Sequence, residues 1–206
     1  FRPLWYINSM KKIFLPLIIV SFLLSGCFGG SDEIKPSDKK IEGFHAYSTG
    51  EFSMQIPDEW EILTPEKFQS NVPKNTLIAF RNNIKDENFT ANVVVIKNEL
   101  PQEQEISTPD YAKSLRQKVS QDLSAYSEVA VEQVKVFVGG KENETVFLYA
   151  IGREQPDSEL KKFIQISAVK GKTAYIAIGS MLTTENETNT ALADKIVTMV
   201  KSFELK

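Results

Sequence analysis

Phe52-Ser53-Met54-Gln55-Ile56-Pro57-Asp58-Glu59-Trp60 alternates apolar and polar residues as far as Ile56, breaks at a proline, and resumes on a tryptophan. Apolar side chains at every second position mark a strand with one face in a core. Ser48-Thr49-Gly50-Glu51 stands just before it, and His45-Ala46-Tyr47 lies on the far side of that turn. The two runs read as a β-hairpin. Pro57 cannot donate to a ladder and closes the strand. Trp60-Glu61-Ile62-Leu63 then resumes a short extended piece.

Downstream, strands are expected at Thr76–Arg81 and at residues 91–97, the second carrying the β-branched run Val93-Val94-Val95-Ile96. The polar loop of residues 82–88 separates them. Thr108-Pro109-Asp110 is a helix start, with a capping hydroxyl, a proline at the first helical position and an acid in the first turn. Tyr111, Leu115, Val119 and Leu123 follow at four-residue steps and make one apolar stripe. Four strands come next. Residues 127–138 alternate as Val129 and Val131, then Val134, Val136 and Val138, and the phase slip at Glu132-Gln133 suggests a bulge. Gly139-Gly140 turns the chain into residues 145–153, and residues 160–169 and 173–181 form a hairpin around Lys170-Gly171-Lys172. Thr184 and Glu187 have capping-box spacing ahead of a second helix carrying Leu192, Ile196, Met199, Val200 and Phe203. No segment repeats at a fixed period. The fold class is α+β, an antiparallel sheet packed by helices.

Upstream, Met10-Lys11-Lys12 precedes residues 13–24, an apolar run broken only by Pro16 and Ser21. A short basic region followed by about 7–15 apolar residues is the layout of a secretory signal. Leu24-Ser25-Gly26-Cys27 follows at once and resembles the lipobox of bacterial lipoproteins. That resemblance implies cleavage between Gly26 and Cys27, a diacylglyceryl group on the Cys27 thiol, and acylation of the new N-terminus. The alternatives are an ordinary signal peptide with an incidental cysteine, or an uncleaved anchor helix. Residues 1–9 read as an extension upstream of an initiating Met10, so residues 1–26 are set aside as extension plus signal. Removing them takes away Arg2, Lys11 and Lys12 and no acid, leaving 180 residues with a net charge of -6 in place of -3. Such a body is repelled by anionic headgroups, so attachment has to come from lipid. Residues 27–43 hold the lipidated cysteine and a stretch of Gly, Ser, Asp, Lys and Pro too polar to bury itself, read as a tether. Its reach is roughly 20–25 Å. Residues 44–206 make one domain.

The hairpin followed by Phe52, Met54, Ile56, Pro57 and Trp60, with Tyr47 before them and a long capped helix at the end, resembles the PsbP-like superfamily. The resemblance extends over nearly all of residues 44–206. It implies an antiparallel sheet flanked by helices in an α-β-α sandwich, and a non-enzymatic role. Members include extrinsic subunits of photosystem II, lipid-anchored bacterial relatives and a Ran-binding nuclear import protein. Calcium and manganese accompany the photosynthetic members, but no ligand position can be matched here.

Composition narrows the chemistry. The chain has one Cys and one His in 206 residues. That excludes an internal disulfide and a multi-histidine zinc site. A negative net charge argues against a general nucleic-acid binder. A hydrolytic triad would have to use His45, and no Gly-x-Ser-x-Gly elbow accompanies it. Neither a phosphate loop nor a dinucleotide fingerprint is present. Asp58, Glu59 and Glu61 around Trp60 could serve as paired acid and base. The reading preferred here is a solvated turn, because nothing in the sequence indicates a raised pKa. Trp60 is either a binding aromatic, with Asp58 and Glu59 beside it, or a core anchor. Asn83, Asp86 and Glu87 offer calcium the oxygens it prefers but lack the spacing and glycine of an EF-hand. Lys161, Lys162, Lys170 and Lys172 read as a solvated face rather than an anion site.

The expected function is a lipid-anchored binding or accessory module that docks or helps assemble a membrane-associated protein complex, with no enzymatic activity and no cofactor beyond the lipid. The alternative is a lipid-anchored receptor for a small molecule or a metal ion, calcium included. A receptor needs a concave pocket of roughly 300 Å³ or more. A docking module needs a contiguous exposed apolar patch. The expected location is the extracytoplasmic side of the cell envelope. Phe28, rather than Asp, follows Cys27 and points to the outer membrane where a cell has two.

Overall fold

β1 (Phe44–Ser48) and β2 (Phe52–Pro57) pair antiparallel from Phe44↔Pro57 to Ser48↔Ser53. The turn between them is held by Thr49, whose Oγ1 accepts from the amides of Glu51 and Phe52, both at 3.1 Å. The expected hairpin is present. The computed structural model describes residues 38–69, 72–84, 89–101, 105–183 and 187–206, which belong to one compact unit, residues 34–206. Gly26, Cys27, Asp86, Glu87 and Thr184 lie outside the described residues.

The remaining strands are β3 (Glu61–Leu63), β4 (Thr76–Arg81), β5 (Asn92–Glu99), β6 (Ser124–Val138), β7 (Lys141–Arg153), β8 (Lys161–Lys170), β9 (Thr173–Leu182) and β10 (Glu204–Leu205). The helices are α1 (Thr108–Asp122) and α2 (Glu187–Lys201). The strands form one sheet in the order β1-β2-β10-β6-β7-β8-β9-β5-β4-β3. The sheet was expected to be antiparallel and is mixed. β10 runs parallel to β6 through Leu205↔Val138 while pairing antiparallel with β2. Two residues are too few to show periodicity, so β10 left no signal. Phe203 has helical spacing from Met199 and Val200, but the helix stops at Lys201 and the chain enters the sheet.

Residues opposite each other on neighbouring strands share a face. One such row is Phe80–Val93–Gly179–Ile164–Tyr149, and Gly179 in it lies against Ile196 of α2. The adjacent row, Ala79–Val94–Ile178–Gln165–Leu148, belongs to the other face. Gly152, two residues beyond Ala150 on that second face, abuts Leu123 at the end of α1. The helices therefore rest on opposite faces. The main core lies on the α2 side, where Phe52, Met54, Ile56, Phe80, Ile164, Ile196 and Phe203 are almost wholly buried.

This geometry corrects two local readings. No register shift occurs between Val131 and Val138; the shifts fall between Ser124 and Ser127 and between Glu128 and Ala130. Val131 faces the α1 side opposite Leu148, whereas Val134, Val136 and Val138 serve the α2-side core. The change of phase thus records a change in which face is covered. The cap of α1 is Ser107, whose side chain accepts from the Asp110 amide at 3.3 Å. Thr108 is already helical, and its buried hydroxyl accepts from the Val169 amide at 3.0 Å, tying α1 to β8. Gly139 and Gly140 both take positive φ (58° and 78°), as a two-residue primed hairpin turn requires.

α1 is also tied to β6. Glu128 accepts from Arg116 Nε at 2.8 Å, from Arg116 Nη2 at 2.7 Å and from the Tyr126 hydroxyl at 2.8 Å. Burial first, then the hydrogen bond to Glu128 and its charge, push the Tyr126 phenol from 10.0 up to about 12. A raised folded-state pKa means that this group's stabilisation is complete below pH 10 and is lost as the pH rises toward 12. The stability gap between wild type and Tyr126→Phe should narrow over that range in urea titrations. A constant gap would mean the phenol ionises normally in the fold.

Candidate functional site

After Pro57 the chain makes one turn. The Asp58 amide donates to Gly43 O and the Trp60 amide to Pro57 O, each at 3.0 Å. This turn sets Trp60 inward, 5% exposed and within the core cluster. On the other side of β4, Asn82 anchors the next loop. Its amide donates to Ala91 O at 2.9 Å, and its side-chain oxygen accepts from the Ile84 amide at 3.3 Å. Between these segments, the end of β9 and the first turns of α2 lies a cleft of about 320 Å³. Trp60, Ile84, Phe89, Ala91, Met181, Leu182 and Leu192 give it apolar walls, with Asn82, Asn189, Glu59 and Lys195 as its polar lining. Lys195 donates to Glu59 across it. The Trp60 Nε1–H is buried and meets no hydrogen-bond acceptor among the described residues.

The carboxylates grouped in sequence around Trp60 are separated in space, each with its own partner. Glu59 pairs with Lys195, Asp58 with His45 at 3.0 Å, and Glu61 with Arg81 at 2.6 Å. Burial raises the Glu59 pKa, but hydrogen bonds from Lys195 and from its own amide, with the Lys195 charge, outweigh it and hold the carboxyl below its ordinary value. Glu59 is thus ionised at neutral pH, the opposite of what a general acid needs. Asp58 does not line the cleft; Trp60 and Glu59 do. Asn83 is exposed, and among the described residues no group of three His, Cys, Asp or Glu side chains could hold a metal ion. The lysines disperse as well. Lys161 pairs with Glu154 and sits 4.1 Å from the Phe89 ring centroid, while Lys170 donates to the Lys206 carbonyl.

A second concavity, about 510 Å³, lies on the opposite face of β3–β5, lined by Leu63, Phe68, Val72, Ala79 and Val94 with the Glu61–Arg81 pair. Among the described residues only Ile84 and Val129 are large hydrophobics in open solvent. No helix among them is long and apolar enough to cross a membrane.

No family model matches the sequence, and no curated protein matches it either. Solved structures do match. The solution structure of cyanobacterial PsbP (CyanoP) from Synechocystis sp. PCC 6803 aligns over 88% of this chain and 99% of its own, with a TM-score of 0.52 at 16% identity. The fold is PsbP-like. LpqN of Mycobacterium tuberculosis, involved in cell envelope biogenesis, aligns over 75% of this chain and 83% of its own, with a TM-score of 0.51 at 14% identity. The Saccharomyces cerevisiae Ran-binding protein Mog1p gives a TM-score of 0.51 at 9% identity, covering 78% of this chain and 94% of its own. At these identities the likeness fixes architecture alone.

The sequence reading singled out Trp60 and Glu59 but none of their partners in the cleft. Those partners come from β9, α2 and the loop after β4, and only pairing and helix packing bring them together.

Proposed function

We propose that the chain is a non-catalytic binding module, held by lipid on Cys27 at the extracytoplasmic side of a bacterial envelope, that docks or helps assemble a membrane-associated protein complex. The observation that carries this reading is the PsbP-like fold, shared with CyanoP, with a Ran-binding protein and with a protein of cell envelope biogenesis. Helices on opposite faces of the sheet agree with the α-β-α sandwich of that family. Leu24-Ser25-Gly26-Cys27 supports the anchor, and Phe28 after Cys27 favours the outer membrane where there are two. A second reading, a lipid-anchored receptor for a small molecule, is favoured by the cleft, whose volume of about 320 Å³ reaches the range of ligand pockets. Calcium remains a proposal for the loop of Asn83, Asp86 and Glu87.

Cys27 gives the direct test. One acyl chain gives marginal attachment, whereas a diacylglyceryl group plus an N-acyl chain holds a protein to the bilayer against a net charge of -6. Wild type should take up labelled palmitate and stay with membranes through a high-salt wash, leaving only in detergent. Cys27→Ala should lose the label, the processing and the discrete crosslink to a membrane protein that wild type forms in intact cells. Release of wild type by salt, with no label, overturns the anchor. Labelled wild type that forms no crosslink overturns the docking role.

A further inference from the structure

The cleft beside Trp60 lies at the end of the domain where the preceding chain arrives. Gln55 Nε2 donates to Lys39 O at 3.1 Å, the Phe44 amide to Ile41 O at 3.2 Å and the Asp58 amide to Gly43 O at 3.0 Å. The stretch read as tether is therefore held on the domain from Lys39 onward. It touches the turn whose next two residues, Glu59 and Trp60, are cleft wall. An anchor at Cys27 is 12 residues away from Lys39. Twelve residues reach at most about 43 Å whatever their conformation. Lipid attachment would keep this end of the domain, and the cleft with it, near the bilayer surface.

The walls suit a flexible hydrocarbon. Ile84, Met181, Leu182 and Leu192 are aliphatic, Ile84 is 71% exposed, and Glu59 and Lys195 neutralise each other, so the lining selects for no ionic headgroup. Its volume of about 320 Å³ equals about ten water molecules in the liquid. We infer that the cleft takes the acyl chain of a membrane lipid. The route to the ligand rests on the anchor reading, while the chemistry of the cleft does not.

Trp60 is the only tryptophan in residues 34–206, so its fluorescence reports this cleft alone. Dodecanoic acid with a terminal bromine should quench it saturably. Plain dodecanoic acid and dodecanol should both reverse the quenching, and butyric acid should not. Ala191→Phe, at an exposed position of α2 on the cleft, should weaken binding about tenfold or more while leaving the far-ultraviolet spectrum unchanged. Leu192→Gln gives a second check if the phenylalanine perturbs the helix. Quenching that does not saturate, or that both variants leave unchanged, overturns the proposal. If residues 34–206 bind the probe but vesicles of phospholipid brominated along the acyl chain leave Trp60 of the lipidated full chain unquenched, the protein's own Cys27 lipid fills the cleft and the membrane-lipid source is wrong. If the probe binds and wild type takes up no palmitate, only the anchor reading falls.

Discussion

Trp60→Ala should destabilise residues 34–206 by about 3–5 kcal/mol, the usual cost of emptying a buried aromatic site. Trp60 is 5% exposed and belongs to the same core cluster as Ile56, Phe80 and Ile196. Truncation removes the side chain that closes the β2–β3 corner over that core. Trp60→Phe should behave differently. It keeps an apolar ring and removes a buried donor that meets no acceptor among the described residues, a defect worth roughly 1–3 kcal/mol. Removing that donor should offset part of the cavity the smaller ring leaves, so the cost of Trp60→Phe should fall well below that of Trp60→Ala. Wild-type emission should be blue-shifted and resist acrylamide. Chemical denaturation of the three proteins checks the energies. An Ala variant as stable as wild type, with red and easily quenched wild-type emission, would place Trp60 at an exposed binding surface.

The parts of the fold legible in the sequence are those decided by neighbours. Thr76–Arg81 is a strand with the bounds its residues suggest, and the hairpin about Gly50 follows from Phe52, Met54 and Ile56 alternating beyond a turn. Boundaries were less legible because adjacent residues could perform the same task. Ser107 and Thr108 both carry hydroxyls before Pro109, and only the nearby Val169 amide decides that Thr108 serves the sheet while Ser107 caps. Features set by distant partners gave no local signal. β10 is defined by its pairing with β2 and β6, and Val131 and Val134 lie on opposite faces of the sheet.

The candidate site follows the same division. Glu59 and Trp60 stood out because an acid beside a tryptophan after a proline is locally conspicuous. Lys195, Leu192 and Met181 did not, since an amphipathic helix and a buried strand account for them as core and surface. The pairing of Glu59 with Lys195 spans 136 positions of sequence and depends on how α2 sits on the sheet. The site is thus as sensitive to the seat of α2 as to its own lining.

Gly179→Ala should expose that dependence. A methyl group at Gly179 would meet Ile196 Cγ2 at 2.1 Å and Val93 Cγ2 at 3.4 Å, and Ile196 is wholly buried. Replacing a strand glycine with alanine ordinarily gains about 0.5–1 kcal/mol. Overpacking costs about 1–3 kcal/mol and should outweigh it. Ile196→Ala alone should cost about 2–5 kcal/mol through the cavity it leaves. In the double variant the new methyl occupies space the isoleucine vacated, so the combined cost should fall short of the sum by about 1–3 kcal/mol. Gly50→Ala, where nothing lies within 4 Å of the added carbon, is the control and should be near neutral. Because Leu192 and Lys195 are carried on α2, lifting the helix should also weaken the cleft's hold on the brominated acid, and the double variant should recover part of it. Additive energies would mean that α2 does not rest on Gly179, and the Glu59–Lys195 pair would then need another explanation for its geometry.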